Sequence, residues 1–147
     1  MITISEIKKT ASSLNMSKIV NGSGMNALIV DDNALIGNVA QKLLDSYGFA
    51  TKIVENGQQA VDIFNAGNSF DVVFMDMEMP IMDGIKATKE LRAMGVKSLI
   101  FGVTTSESKS DIKAFKEAGL DEYFEKPLNF VKIDSVLRRL KNYNQNM

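Results

Sequence analysis

The sequence predicts an α/β fold in which five strand–helix units form one parallel sheet, doubly wound, with helices on both faces. Two observations carry that expectation. From Asn26 onward, short apolar runs alternate with stretches of helical periodicity, as crossover helices joining parallel strands require. A glycine follows most of the helical stretches, at Gly48, Gly67, Gly95 and Gly119, where a helix C-terminus favours one. The 147 residues suit one such domain, and a hydrophobic content of 45% is enough to fill its core.

Taken in order, residues 27–30 are a continuous apolar run and read as the first strand. Ile36, Val39, Ala40, Leu43, Leu44 and Tyr47 then recur on one helical face, which is expected to point inward. Ala50–Val54 is a second strand interrupted by Thr51 and Lys52, and 58–66 a short helix with Ala60, Val61 and Phe64 inward. Residues 72–75 give a third strand, 85–94 a helix, 99–103 a fourth strand and 107–118 a helix. Glu122–Glu125 is a short fifth strand, and Ile133, Val136, Leu137 and Leu140 mark the last helix. Strands one, three and four are almost wholly apolar and belong at the centre. Strands two and five carry Lys52, Glu122 and Glu125 and belong at the edges. The order 2-1-3-4-5 satisfies this pattern, and it is the flavodoxin-like arrangement of a (βα)5 sheet.

Residues 1–24 read as an N-terminal extension and 25–147 as the folded domain. Ile2, Ile4, Ile7, Ala11 and Leu14 make only a weak stripe, and Asn21-Gly22-Ser23-Gly24 resembles a linker. The chain has neither apolar span nor secretory leader, so a cytoplasmic protein, with the nucleus as a second location, is expected. Charge is nearly balanced, 17 basic against 18 acidic residues, which speaks against nucleic acid or a membrane surface as partner. Arg138, Arg139 and Lys141 form a small basic end to the last helix, read as favouring its dipole rather than DNA.

Two absences narrow the chemistry. Without Cys there is no disulfide, thiolate nucleophile or Cys-based zinc site, and without His there is no imidazole base. Carboxylates, hydroxyls and amines remain, with a hard metal ion as their natural cofactor.

In this topology ligands bind beyond the carboxyl ends of the strands. Strand one ends in Asp31-Asp32, strand three in Asp76, strand four in Thr104-Thr105 and strand five in Lys126-Pro127. Each has a simpler reading. Asp32 or Asn33 can cap the next helix, Asp76 can serve a turn before Pro80, and Asp83-Gly84 reads as a turn alone. Lys126 can be a solvated lysine, and Thr104 can satisfy a strand end. None of these readings explains why the strand ends collect carboxylates, a hydroxyl and an ammonium together. Crowded carboxylates call for a cation, and an all-oxygen donor set suits Mg²⁺. Mg²⁺ with a lysine and a hydroxyl donor is equipment for phosphoryl transfer, in which an Asp can be the nucleophile.

Val30-Asp31-Asp32-Asn33, the run from Phe74 through Asp76-Met77-Glu78-Met79-Pro80 to Asp83-Gly84, Val103-Thr104-Thr105 and Glu125-Lys126-Pro127-Leu128 resemble the response-regulator receiver domain of two-component phosphorelays. The resemblance covers about residues 26–140, and details such as Glu117-Ala118-Gly119-Leu120 resemble the plant stand-alone receivers called type-C response regulators. It implies that Asp76 accepts the phosphoryl group. Asp32, Asp76 and the backbone carbonyl of Glu78 would bind Mg²⁺, with Asp31 acting through a water. Thr104 and Lys126 would contact phosphoryl oxygens, Tyr123 would be the switch aromatic, and Lys126-Pro127 would be a cis peptide. Taken by itself, Tyr123 also reads as an ordinary edge-strand aromatic. The donor would be a phosphorylated histidine on a histidine-phosphotransfer protein or a histidine kinase, docking around Ile36, Gly37, Pro127 and Leu128. Partial core burial is the other reading of Ile36 and Leu128. The chain is expected to be monomeric and to have no DNA-binding output of its own. A phosphohistidine phosphatase, using the same residues with rapid turnover at Asp76, is the alternative function. A flavin-binding site is disfavoured, because acids after the first strand would repel a phosphate there.

Overall fold

A computed structural model of the chain describes residues 24–145. The N-terminal extension and its apolar stripe lie outside the described residues, Gly24 excepted. The elements run β1 (Asn26–Val30), α1 (Ala34–Ser46), β2 (Ala50–Val54), α2 (Gly57–Asn65), β3 (Val72–Asp76), α3 (Gly84–Ala93), β4 (Leu99–Thr104), α4 (Lys109–Glu117), β5 (Glu122–Glu125) and α5 (Phe130–Gln145). All strand pairings are parallel and the sheet order is β2-β1-β3-β4-β5, as the apolar pattern requires. Every residue of β3 and β4 is buried, whereas β2 and β5 are partly exposed.

The sheet divides the core in two. Ala27, Ile29, Phe74 and Phe101 face α1 and α5, where Leu44, Ile133, Val136, Leu137 and Leu140 pack on them. Leu28, Val30, Val73, Met75 and Ile100 face the other way, against Val61, Leu91 and Phe115 of α2, α3 and α4. The strands are thus buried on both faces, which is why their sequences run apolar without alternation. Phe101 stacks on Phe74 at 5.9 Å and on Phe124 at 5.6 Å, tying β3, β4 and β5 together on one face.

Helix starts are set by polar side chains. Asn33, Asn56, Asp83 and Ser108 each accept a hydrogen bond from the amide three residues on, a cap worth about 1 kcal/mol. This decides between Asp32 and Asn33: Asn33 is the cap, which leaves Asp32 free. It also corrects Asp83-Gly84, which is more than a turn, since Asp83 caps α3 and Gly84 is its first residue.

Two further expectations are revised. The inward face of α1 is Gly37, Ala40 and Leu44, whereas Val39 is 55% and Ile36 37% exposed. A short helix on a twisted sheet buries a narrower stripe than the full apolar periodicity marks. The helix α5 also runs on to Gln145, so Arg138, Arg139 and Lys141 do not form its end. Arg139 instead donates to the Asp121 carbonyl at 3.0 Å, lies 3.4 Å from Glu122 Oε2, and sits over the Phe101 ring.

Candidate functional site

The carboxyl ends of β1, β3, β4 and β5 open on one rim. Asp31 directly follows β1 and is buried, Asp32 beside it is exposed, and Asp76 is the buried last residue of β3. One oxygen from each of the three lies within 4.8 Å of the others, and no such group involving other residues is found among the described residues. Lys126, just past β5, reaches into this cluster. Its Nζ is 2.9 Å from Asp31 Oδ2 and 3.2 Å from Asp76 Oδ1. The other Asp31 oxygen accepts the Asn33 N–H at 2.9 Å, which orients that carboxylate from its own loop.

Thr104 ends β4, fully inside the rim. Its Oγ1 accepts the Ser106 N–H at 3.0 Å, leaving the hydroxyl proton to be donated elsewhere. Its carbonyl accepts the Lys126 N–H at 3.0 Å, which fixes the lysine backbone from the β4 side. The Lys126–Pro127 peptide is cis, as the resemblance implied.

Burial raises the Asp76 carboxyl to about 6, and the charge on Asp31 pushes the same way. Lys126 and the Glu78 backbone N–H, which donates to the carboxylate, pull it back down without cancelling the rise. Burial by itself would lower the Lys126 ammonium, but hydrogen bonds and charges from Asp31 and Asp76 together raise it. One ammonium among three carboxylates leaves the rim net negative at neutral pH.

The loop from β3 to α3 is tightly folded beneath this rim. Met77 donates to Val103 O at 3.3 Å and accepts Gly84 N–H at 2.8 Å, so the loop closes back on the strand end. A Cβ on Gly84 would collide with the backbone oxygen of Asp76. Between them Ile81 sits at φ 71°, with Met82 N–H donating to Pro80 O at 2.7 Å in a three-residue turn. A β-branched residue in that region is strained. The sequence offered no sign of either feature beyond the glycine itself.

Tyr123 is half-buried on β5, paired with Gly102, two residues short of Thr104 in register. Lys116 Nζ lies 4.8 Å over its ring. It stands beside the acid cluster rather than within it.

An apolar cleft of about 210 Å³ opens from Asp31, Asp76 and Lys126 toward α1. Ile36, Pro127 and Leu128, three of the four residues expected to meet a partner, line it. Gly37 does not. It is buried, and a Cβ there would meet Ile53 of β2 at 3.5 Å, so it packs α1 onto the sheet. Leu35, 73% exposed, and Val39 take its place in the cleft. Sequence periodicity had assigned Val39 to the core and passed over Leu35.

A doubly wound sheet whose strand ends gather acids, a hydroxyl and a lysine defines a receiver. Residues 27–138 match the family model described as the response regulator receiver domain, and the chain belongs to that family. It is 46% identical over 123 residues to two-component response regulator 24 of Arabidopsis thaliana, covering 84% of this chain and 88% of the relative. It also superposes on the receiver domain of a Pseudomonas aeruginosa sensor histidine kinase solved with a magnesium ion in its active-site cleft. That match has a TM-score of 0.71 at 28% identity, covering 82% of this chain and 99% of the other. A third likeness is to the co-crystal structure of the Saccharomyces cerevisiae histidine phosphotransfer protein Ypd1 with the receiver domain of Ssk1. Its TM-score is 0.73 at 25% identity, covering 82% of this chain and 90% of the other. No helix among the described residues is long and apolar enough to cross a membrane.

Proposed function

We propose that the chain is a phosphorelay receiver that takes a phosphoryl group onto Asp76 from a phosphorylated histidine of a histidine-phosphotransfer protein or histidine kinase. The observation that carries this reading is the Lys126 ammonium shared between Asp31 and Asp76 at the rim where Thr104 presents its hydroxyl. A Mg²⁺ ion fits the donor set, since three convergent carboxylates outnumber one ammonium and offer oxygen alone. Asp31, Asp32, Asp76 and the Glu78 carbonyl would hold it, and when bound it supplies charge neutralisation for the transferring phosphoryl group.

The remaining chemistry belongs to the chain itself. An Asp76 oxygen attacks phosphorus in line, the P–N bond to the partner's imidazole breaks, and the departing nitrogen keeps the electron pair. Lys126 stabilises one phosphoryl oxygen, and Thr104, whose proton is not committed to the Ser106 amide, donates to another. These new bonds draw on Thr104 and the loop after it, and Tyr123, next along the sheet edge, is the aromatic that responds.

The partner seats on the apolar cleft formed by Leu35, Ile36 and Val39 of α1 with Pro127 and Leu128, continuous with Asp76. A histidine-phosphotransfer protein bound to a related receiver supports that choice of partner. Residues 25–147 make up the signalling domain in this reading, with 1–24 as an extension to it. Incubating the protein with a labelled, phosphorylated histidine-phosphotransfer protein and Mg²⁺ tests the proposal. Label should move to Asp76 and fail to do so with excess chelator. Label lost from both partners without accumulating would mark the phosphatase alternative, and label retained by the donor would overturn both.

A further inference from the structure

Lys132, in the first turn of α5, stands outside every motif that identifies the family. Its Nζ donates to the Glu125 carbonyl at 2.5 Å and to the Pro127 carbonyl at 2.8 Å. These are the two carbonyls flanking Lys126. Its own N–H donates to Asn129 Oδ1 at 2.9 Å, which anchors its backbone at the start of the helix. A lysine with no task on the surface leaves its ammonium in water. This one is half-buried and commits two of its three donors to one short connection. The other support of that connection is the Lys126 N–H on Thr104 O. The backbone of Lys126 is therefore held at its own amide and at the carbonyls on either side, and from that frame its side chain spans Asp31 and Asp76.

We propose that Lys132 is a positioning residue for phosphoryl transfer, its ammonium clamping the Glu125 and Pro127 carbonyls so that the Lys126 ammonium stays between Asp31 and Asp76. The inference rests on the phosphoacceptor reading for its functional consequence, though not for the clamp itself. Placement at this level matters because a shift of about 1 Å in a catalytic group can cost on the order of a hundredfold in rate. An arginine retains donors for both carbonyls, whereas methionine keeps the apolar stem and loses them.

The test uses the full chain and two readouts. In metal-free protein, the ¹⁵N signal of the Lys126 ammonium should shift and broaden in Lys132→Met and return toward wild type in Lys132→Arg. With Mg²⁺ and acetyl phosphate as donor, Lys132→Met should slow labelling of Asp76 roughly tenfold, with Lys132→Arg recovering most of it. In a Lys126→Met background the same change should cost almost nothing more, since a positioning residue has no effect once its target is gone. An unmoved Lys126 signal, or an equal loss in both backgrounds, overturns the clamp. Failure of the wild-type chain to take label instead counts against the phosphoacceptor reading, and the ammonium signal still decides the clamp.

Discussion

Among single residues, Asp76 makes stability depend on pH on the acid side of neutrality. Its carboxyl is raised to about 6, so at neutral pH the folded chain carries a buried charge that the unfolded chain carries in water. Between the ordinary carboxylate value and about 6 the folded state binds the extra proton, so this group makes stability fall as pH rises through that window. Asp76→Asn removes the charge at constant shape. It should melt higher than wild type at pH 7.5, with the gap closing as pH drops toward 4, while accepting no phosphoryl group. Equal melting at both pH values would contradict the burial argument. The same proton competes with a metal, so apparent Mg²⁺ affinity measured by titration should weaken as pH falls below about 6. Thr88 is a different case. Its side chain is fully buried in α3 and its hydroxyl has no partner among the described residues. Thr88→Val should therefore stabilise the fold by about 1 kcal/mol in denaturant melts. Nothing in Ala87-Thr88-Lys89 marks that hydroxyl, because helical position is legible from spacing while the lack of a hydrogen-bond partner is a property of the packed neighbours.

Elements were legible where local chemistry decides them. The apolar runs gave strands to within a residue, and all five described helices begin behind an Asn, Asp or Ser cap. The glycines after α1, α2, α3 and α4 all have positive φ, as the stop signals implied. Elements failed where two of them meet. The turn at Asp83-Gly84 looked ordinary because the oxygen that excludes a side chain at Gly84 belongs to Asp76. Gly102 is similar, since a Cβ would press on Phe115 and Leu120 at 2.6 Å. Gly84→Ala should thus destabilise by more than about 3 kcal/mol, as a collision with rigid backbone cannot be relieved by a rotamer change. Ile81 lies in the same connection but is 81% exposed, so its strain is not offset by burial. Ile81→Gly should raise stability by about 1 kcal/mol despite the added freedom of the unfolded chain. A lower melting temperature would show that Ile81 packs against something in solution.

At the scale of the whole molecule, the site was readable because topology does the gathering. Once the strand order is known, residues at the carboxyl ends of neighbouring parallel strands must share a rim, and Asp31, Asp76, Thr104 and Lys126 do. The cleft beside them was only half readable, since which side of α1 faces the sheet depends on how the helix lies across it. That orientation moves Gly37 inward and turns Leu35 and Val39 out. Val39→Asp should accordingly slow transfer from a phosphorylated histidine-phosphotransfer protein at least tenfold more than transfer from acetyl phosphate. Equal slowing with both donors would move the docking face elsewhere. The Asp31–Lys126 pair closes over 95 residues, from the end of the first strand to just past the last. Until β5 and the residue behind it have joined the sheet, Asp31 and Asp76 stand without that counter-charge. On the phosphoacceptor reading, the site is therefore assembled last, when the strand farthest along the chain takes its place.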